Sequence, residues 1–207
     1  MQKFFRREGI LFVISAPSGA GKSTLCTNLR KSPDFIFSIS CTTRPPRVGE
    51  VNGEDYFFLT EEEFLQKLAA QEFLEHAKVH GHYYGTLKST VINALRNGTD
   101  VLLDIDVQGA RQIRQSNDPL LRNALVDVFI MPPTIEELER RLRKRGTETE
   151  EELAIRLRAA KEEMKLWPEF KYTILSGSME EDLTKFRAIM RAERYLSRRL
   201  TLIEEPF

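Results

Sequence analysis

Residues 10–24 read ILFVISAPSGAGKST, an apolar stretch that leads directly into a loop of glycine and other small residues. A short buried strand, a glycine-rich turn and a helix start, in that order, are typical of a phosphate-binding loop. In such a loop the backbone N–H groups point inward at phosphate oxygens, and the helix N-terminus adds the positive end of its dipole. The stretch therefore predicts that the chain binds a nucleoside triphosphate.

The loop departs from the strict G-x-x-x-x-G-K-[ST] pattern at its first position, which is Ala16. Gly19 and Gly21 still allow the backbone to form the tight turn. We expect Lys22 to reach the β- and γ-phosphates and Ser23 to offer its hydroxyl to Mg²⁺. The alternative is a glycine-rich connection with an incidental lysine. The predicted nucleotide-binding residues are Ala16, Pro17, Ser18, Gly19, Ala20, Gly21, Lys22, Ser23 and Thr24.

Composition narrows the class of protein. The chain has 207 residues, which fits one α/β domain with inserts. Basic and acidic residues are equal at 31 each, so no overall basic field favours nucleic acid as a partner. Cys26 and Cys41 have no metal-binding or redox spacing, which favours a reducing, cytoplasmic location. No stretch is long enough to predict a membrane span, and nothing indicates an oligomeric state.

The order of predicted elements favours an α/β fold. Strands that alternate with helices indicate a parallel sheet, whereas the strand-rich stretch from 35 to 85 resembles an inserted lobe. Capping boxes at Thr60 with Glu63 and at Thr149 with Glu152 predict two helix starts. The predicted strands are 10–15, 35–41, 55–59, 72–80, 101–104, 126–131 and 172–175, and helices are predicted over 22–31, 60–70, 87–97 and 179–199 and from 134 and 149 onward.

The inserted lobe carries a second group of polar residues. Arg44 and Arg47 lie three residues apart on a proline-bearing loop, so their planar guanidinium groups can both bind one anion, each through two hydrogen bonds. Tyrosine hydroxyls can add further hydrogen bonds to the same anion. A buried glutamate accepts two hydrogens at once, which suits the N1–H and 2-amino edge of guanine. The alternative is a surface loop whose arginines and glutamates pair with one another. The group comprises Ser40, Arg44, Arg47, Glu50, Tyr56, Glu75, Tyr84 and Thr86.

Residues 37–56 read FSISCTTRPPRVGEVNGEDY, and YYGT (83–86), LDIDVQG (103–109) and RGTET (145–149) follow. In this order, over residues 10 to about 176, these motifs resemble the guanylate kinase family. The resemblance implies transfer of the γ-phosphoryl group of ATP to GMP, giving ADP and GDP, with Mg²⁺ as cofactor and dGMP as a further expected acceptor. By that match Ser40, Glu75 and Asp106 would contact guanine, and Arg44, Arg47, Tyr56 and Tyr84 would hold the GMP phosphate. Thr86 keeps the hydroxyl where many members have serine, and Glu50 belongs to the same predicted GMP site.

The resemblance also implies a P-loop NTPase fold of three layers with a parallel central sheet. An inserted GMP-binding lobe of mixed strands and a helical lid would close on that core. The expected organisation is one domain, 1–207, with its core at 1–34, 87–131 and 165–207, the lobe at about 35–86 and the lid at about 132–164.

Asp104 and Asp106 follow a predicted apolar strand, and residues two apart in a strand lie on the same side. An aspartate at this edge near a phosphate loop commonly holds Mg²⁺, so we assign Asp104 to the metal and Asp106 to the base. The alternative is that these aspartates cap the turn 108–110. No general base is needed, because the acceptor phosphate is already ionised at neutral pH, and catalysis is expected to rest on positioning and charge neutralisation.

Residues 140–145 read RRLRKR, which predicts a basic helix. By the same family match Arg141, Arg145 and Arg156 are lid arginines that neutralise the transferring phosphoryl group, and with Lys22 they form the predicted catalytic set. Without nucleotide we expect these arginines to lack counter-charges, which favours an open lid. Arg140, Arg143 and Lys144 are expected to be solvated and paired with nearby glutamates.

Residues 176–178 read SGS, where the family usually has an Asn-Asp pair beside the adenine, so the selectivity for the donor base stays open. Two other functions remain as alternatives: a guanylate-kinase-like binding module without catalysis, and another nucleoside monophosphate kinase. The intact Gly21-Lys22-Ser23 disfavours the first. The combination of Ser40, Glu75 and Asp106 disfavours the second.

Overall fold

The computed structural model describes residues 5–79, 81–145 and 149–203, without the side chain of Arg145. The strands are β1 (Phe5–Arg6), β2 (Leu11–Ser15), β3 (Ile36–Phe37), β4 (Cys41–Thr42), β5 (Phe57–Phe58), β6 (Phe73–Val79), β7 (His82–Leu87), β8 (Val101–Asp104), β9 (Leu125–Met131), β10 (Tyr172–Leu175) and β11 (Thr201–Leu202). The helices are α1 (Lys22–Leu29), α2 (Glu61–Ala69), α3 (Lys88–Arg96), α4 (Val107–Arg114), α5 (Pro119–Ala124), α6 (Ile135–Arg145), α7 (Glu150–Met164) and α8 (Met179–Arg194).

Five parallel strands form the central sheet in the order β10-β9-β2-β8-β3. Every residue of β2 is buried, because both faces of the sheet are covered by helices. Phe12 and Ile14 face a core shared with α1 and α8, where Phe186 meets Phe12 edge to face. Leu11 and Val13 face the opposite core, which α3, α4 and α5 cover. This three-layer arrangement confirms the predicted fold.

A second, smaller sheet has the order β5-β4-β7-β6, with β4 and β5 parallel and the other pairs antiparallel. The ring of Phe64 on α2 stacks between Phe73 and Tyr83, at centroid distances of 4.3 and 5.3 Å. Gly85 permits this packing, since a Cβ there would lie 2.8 Å from the Phe73 ring. The mixed strands of the inserted lobe are thus confirmed, with the sheet stabilised by aromatic side chains.

Several elements differ from the prediction. The strand predicted over 35–41 is two strands in different sheets, because β3 pairs with β8 of the core whereas β4 pairs with β7. Strand β7 was not predicted; it turns back on β6 through a hairpin that includes Gly81, whose φ is 84°. Helices α4 and α5 were not predicted either. The predicted end of β6 at residue 80 lies outside the described residues.

Helices α6 and α7 pack against each other through a small core of their own: Leu138, Leu142, Leu153 and Ala160. The predicted capping box of Thr149 with Glu152 opens α7. A separate core is consistent with a lid that moves as a unit, but the division into core, lobe and lid remains a prediction.

The helix predicted over 179–199 ends earlier, at Arg194, and a short 3₁₀ turn follows at Ser197–Arg199. The chain then becomes extended because β11 pairs antiparallel with β1, Phe5 opposite Leu202 and Arg6 opposite Thr201. Within the described ranges, no helix combines the length and apolar character needed to cross a bilayer.

Candidate active site

The phosphate loop lies at the carboxyl end of β2 and leads into α1. Gly19 and Gly21 adopt φ values of 91° and 97°, a left-handed conformation that other residues rarely adopt, and Gly21 is the N-cap of α1. A Cβ on Gly19 would lie 2.9 Å from Leu142 and 3.0 Å from Leu138. The two glycines therefore allow both the curl of the loop and the close packing of α6 on it.

Lys22 joins the phosphate loop to the carboxyl end of β8. Its Nζ lies 2.5 Å from Oδ1 of Asp104 and donates a hydrogen bond to the carbonyl of Ile105 at 3.1 Å. The hydroxyl of Ser15 donates to the same carbonyl at 3.0 Å. Burial alone would lower the pKa of Lys22, but the Asp104 carboxylate outweighs it and raises that pKa. The ammonium group therefore stays charged at the position where donor phosphates would lie.

On the smaller sheet, Arg44 is held by Glu50 and surrounded by tyrosines. Its Nη2 donates to both Glu50 oxygens, at 2.8 and 3.0 Å, and the backbone N–H of Arg47 donates to Glu50 at 2.7 Å. The Arg44 guanidinium lies 5.5 Å from the ring centre of Tyr56, which is 6.1 Å from that of Tyr84. The alternative considered for this loop, in which its arginines and glutamates pair with one another, is thus present for Arg44 and Glu50. It makes Glu50 a positioning residue for the loop.

Tyr56 connects the two sheets electrostatically. Burial raises its pKa, and the nearby Asp104 carboxylate raises it further, whereas Arg44 and Lys22 lower it. The phenol is therefore within electrostatic reach of both the phosphate loop and the arginine of the lobe. The predicted donor-phosphate and acceptor-phosphate groups therefore both lie near this one phenol.

Glu75 on β6 is 4% exposed and accepts a hydrogen bond from the hydroxyl of Thr86 at 2.6 Å. Its second oxygen passes so close to Gly109 that a Cβ there would lie 2.5 Å away. Burial, with a further contribution from the charge of Asp106, raises the pKa of Glu75 to about 7. Asp106 itself accepts a hydrogen bond from the backbone N–H of Gly109 at 2.8 Å. The capping alternative is therefore realised at Asp106, beside the carboxylate of Glu75.

Ser40 is half-buried at the entrance of β4, where its carbonyl accepts the backbone N–H of Phe57 at 2.9 Å. Ser23 and Thr24 lie exposed in the first turn of α1. Arg47 is exposed as well. Among the described residues, no hydrogen bond fixes these four side chains.

The lid arginines differ from expectation. Arg141 is held by Glu137 at 2.7 Å and also donates to the carbonyl of Ala20 at 3.1 Å and to the hydroxyl of Ser176 at 3.4 Å. The expectation that it lacks a counter-charge is wrong, because glutamate stands one helical turn before it. Arg156 is half-buried and also has an interaction partner, and the Arg145 side chain lies outside the described residues.

The other cations of α6 behave as predicted. Arg140 pairs with Glu137, and Arg143 pairs with Glu139 and Glu150. Lys144 is exposed.

Comparison with known proteins agrees with this geometry. The family model described as guanylate kinase matches residues 8–193. The chain belongs to the guanylate kinase family. A protein named guanylate kinase from Clostridium tetani is 44% identical over 187 residues, which covers 90% of this chain and 88% of the relative. One of the same name from Clostridium perfringens is 47% identical over 187 residues, 90% of this chain and 84% of the relative.

A solved structure is similar throughout. The crystal structure of guanylate kinase from Anaplasma phagocytophilum superposes with a TM-score of 0.77 at 32% identity, covering 95% of this chain and 92% of that one. The resemblance found in the sequence is therefore confirmed for family and fold. The roles of individual residues stay predictions.

Two carboxylates of this guanylate kinase family member were missed in the sequence. Glu163 on α7 lies near the backbone N–H of Ser18 in the phosphate loop, and burial raises its pKa despite the opposing effect of that N–H. It lies two helical turns after Arg156, on the same face, and that spacing was the available signal. A carboxylate therefore stands beside the phosphate loop.

Asp182 is the second missed carboxylate. Its two oxygens accept the Ser176 hydroxyl and the Gly177 backbone N–H, each at 2.9 Å. Ser176 also contacts Arg141 on α6. Asp182 therefore positions residues 176–178, where the sequence departs from the family pattern, next to that helix.

Proposed function

We propose that the chain is a guanylate kinase that transfers the γ-phosphoryl group of ATP to GMP, giving ADP and GDP. The observation that carries the proposal is the approach of two groups, the Lys22–Asp104 pair and the cluster of Arg44, Tyr56 and Tyr84, since Tyr56 of the second is within electrostatic reach of the first. The first group suits a donor triphosphate, and the second suits the phosphate of an acceptor. The family and its relatives bear out this enzyme class.

The acceptor base is read by carboxylates in this proposal. Glu75 and Asp106 offer acceptors to the N1–H and the 2-amino group of guanine, with Ser40 as a further contact. Thr86 orients Glu75 by donating to one of its oxygens. Adenine lacks the 2-amino donor and presents N1 as an acceptor, so it would leave these buried carboxylates without a partner. GMP and dGMP share the guanine edge and are both expected substrates.

The proposed donor site is the loop 16–24, and its residues fit a magnesium–nucleotide complex. Ser23 and Asp104 present hydroxyl and carboxylate oxygens, which Mg²⁺ prefers, and these two residues would hold it. When bound, Mg²⁺ would neutralise charge on the β- and γ-phosphates. On binding ATP, Lys22 would exchange its contact with Asp104 for the phosphates.

Catalysis in this proposal comes from positioning and charge. Lys22, Arg141, Arg145 and Arg156 would surround the transferring group with positive charge while the lobe fixes the acceptor oxygen in line. Arg141 is already within reach of the loop carbonyl at Ala20, so little motion is needed to deliver it. The substrates are small molecules, and two buried free cysteines support a cytoplasmic location.

A coupled assay of ADP production tests the proposal. With ATP and Mg²⁺, GMP and dGMP should be phosphorylated, whereas AMP, UMP and dTMP should react at least about 10³-fold more slowly in kcat/KM. Lys22→Met should reduce kcat on the order of 10³-fold while GMP binding is retained. GMP binding without turnover would favour the binding module, and equal use of another monophosphate would favour a different kinase.

A further inference from the structure

A concave, strongly basic surface lies on the opposite side of the core from the phosphate loop. Its floor is formed by Gly9, Leu125 and Lys171, which stand at the amino-terminal ends of β2, β9 and β10. The phosphate loop follows the other end of β2, five residues away at about 3.3 Å per residue. The cavity has a volume of about 690 Å³. We call it the basic groove; its cationic residues are Arg6, Arg7, Arg96, Arg122, Lys171, Arg198 and Arg199.

The carboxylates around the basic groove do not balance these cations. Glu8 is the carboxylate in its lining. Behind the groove Asp100 pairs with Arg7 at 2.5 Å, and Glu193 pairs with Lys171 at 2.6 Å and Arg199 at 2.8 Å. Among the described residues, seven cations therefore face three carboxylates, and two of those three are buried and already engaged.

Four of the arginines have no such partner. Within residues 5–79, 81–145 and 149–203, no ion pair is found for Arg6, Arg96, Arg122 or Arg198, and all four are exposed. Some arginines on other faces of the same chain are paired, for example Arg44 with Glu50, Arg111 with Glu169 and Arg143 with Glu139, whereas others, such as Arg30, Arg47 and Arg158, also have no ion pair among the described residues. What distinguishes the basic groove is that it brings four such arginines to one cavity in a chain whose formal net charge is zero.

The shape and lining indicate the kind of anion. A volume of this size is within the range of about 300–1,000 Å³ that is usual for small-molecule sites. The lining contains no aromatic ring among the described residues, so nothing there would stack on a nucleobase. Planar guanidinium groups bind phosphate oxygens in pairs, and several of them can engage successive phosphates.

We propose that the basic groove binds a compact polyphosphate anion at a site separate from the catalytic cleft. The ligand is recognised through its linked phosphate groups, which Arg96, Arg122 and Arg198 contact with their unpaired guanidinium groups. Arg7, Lys171 and Arg199 are fixed by Asp100 and Glu193 and form the rigid wall behind them. The binding would relieve the mutual repulsion of the cations, so it should also stabilise the folded protein.

Calorimetric titration with inorganic tripolyphosphate tests this proposal on the full-length protein at about 150 mM salt, where weak surface attraction is screened. Lys22→Met is used as the background, because it weakens binding at the phosphate loop. This background should still bind tripolyphosphate and show a raised melting temperature in its presence. Adding Arg96→Gln, Arg122→Gln and Arg198→Gln should weaken binding at least about tenfold and flatten its dependence on salt.

A matched control carries Arg158→Gln and Lys161→Gln, two exposed cations on α7, in the same background. It should bind tripolyphosphate as the background does. Because the groove residues lie away from the cleft, the groove substitutions placed in the wild-type chain should retain ADP production, which shows that the variant is folded. Single Arg122→Gln should give an intermediate affinity.

The remaining outcomes separate the sources of the phosphate chain. Because GTP can also occupy the GMP site that Lys22→Met retains, the loss of affinity caused by the three groove substitutions is compared for tripolyphosphate and for GTP. A larger loss for tripolyphosphate indicates an inorganic polyphosphate, and a larger loss for GTP indicates a nucleotide. The proposal is overturned by absence of binding at this salt concentration, or by an affinity that the groove substitutions leave unchanged. A twelve-nucleotide RNA that binds the groove more tightly than tripolyphosphate would also overturn it, in favour of nucleic acid.

Discussion

The carboxylate of Glu75 is buried beside that of Asp106, and burial, with that neighbouring charge, raises its pKa to about 7. The proposed reading of guanine requires the ionised form, since only that form accepts both hydrogens without donating one. The proposed function therefore uses the ionised form of Glu75, which burial in the fold disfavours. Thr86 offsets part of this cost by donating a hydrogen bond.

Glu75→Gln should damage the use of GMP, because an amide NH₂ would then face a guanine donor. We expect kcat/KM for GMP to fall on the order of 10²- to 10³-fold and KM for ATP to remain near normal. Part of the discrimination against AMP should be lost with it. Glu62→Gln, an exposed carboxylate on α2 of the same lobe, serves as the control. Wild-type kinetics with GMP in Glu75→Gln would remove this residue from base recognition.

The same residue predicts a pH dependence of stability. Since the pKa of Glu75 is raised from 4.5 to about 7, the folded protein binds more protons than the unfolded chain between these values. Its contribution to the free energy of unfolding should therefore fall as the pH rises through this window, by up to about 3 kcal/mol, and stay constant above it. Urea denaturation at pH 5, 6, 7 and 8 should show a slope in the wild type that Glu75→Gln lacks. Parallel curves for the two proteins would contradict the shift.

Glu163 lies beside the phosphate loop, close to an N–H that we expect a donor phosphate to use. Glu163→Gln removes a negative charge from this position and keeps the size of the side chain. We expect KM for ATP to fall about threefold to tenfold, as the loss of about 1 kcal/mol of like-charge repulsion implies. Steady-state kinetics with varied ATP measures it, with Glu162→Gln, an exposed neighbour, as the control. A higher KM would instead show that the carboxylate supports the loop.

At the scale of elements, helix α6 of the predicted lid lies directly on the phosphate loop. Leu138 and Leu142 are fully buried and pack against Gly19, while Arg141 from the same turn reaches Ala20. Like-charge repulsion therefore does not explain an open lid at Arg141. Any opening must separate apolar contacts first, so we expect the motion to concentrate in α7 and at the far end of α6.

Leu142→Ala should loosen α6 from the loop. Truncating this buried leucine should cost about 2–4 kcal/mol locally, expose the lid to proteolysis without ligands, and lower kcat because Arg141 is no longer held in place. Leu157→Ala, which touches the α6–α7 core, is the matched control for lid stability alone. Equal kcat in Leu142→Ala and the wild type would show that this packing does not position Arg141.

At the scale of the whole molecule, much of the architecture could be predicted from the sequence. The run 10–14 and the capping boxes have strong local signals, so the central sheet and the lobe were expected. Strand β7 was missed because its half-buried residues do not alternate in polarity, and its pairing with β6 depends on the hairpin at Gly81. Helix α4 was missed because Asp106 was assigned to the base, and its capping of the turn 108–110 was kept only as the alternative.

The candidate site shows the same limit. Lys22 and Asp104 come from a contiguous pattern and a strand end, and the structure pairs them. The spacing from Arg156 could have placed Glu163 on the same helix face, but how α7 and α8 pack beside the phosphate loop, on which Glu163 and Asp182 both depend, is encoded by no local pattern. The counter-charge of Arg141 was available, since Glu137 lies four residues before it, a spacing that brings helical side chains together.

The pairing of β1 with β11 has a consequence for the backbone as a whole. Residues 5 and 202 are direct neighbours although almost the entire chain separates them, so joining these two positions would close the polypeptide between them into a ring. Such a closure restricts the unfolded chain far more than the folded one, because the two joined positions are already adjacent in the folded protein. The order of the elements between them is thus cyclic in space, and new termini introduced in an exposed turn such as the one after α4 would leave the groove at its own edge of the sheet.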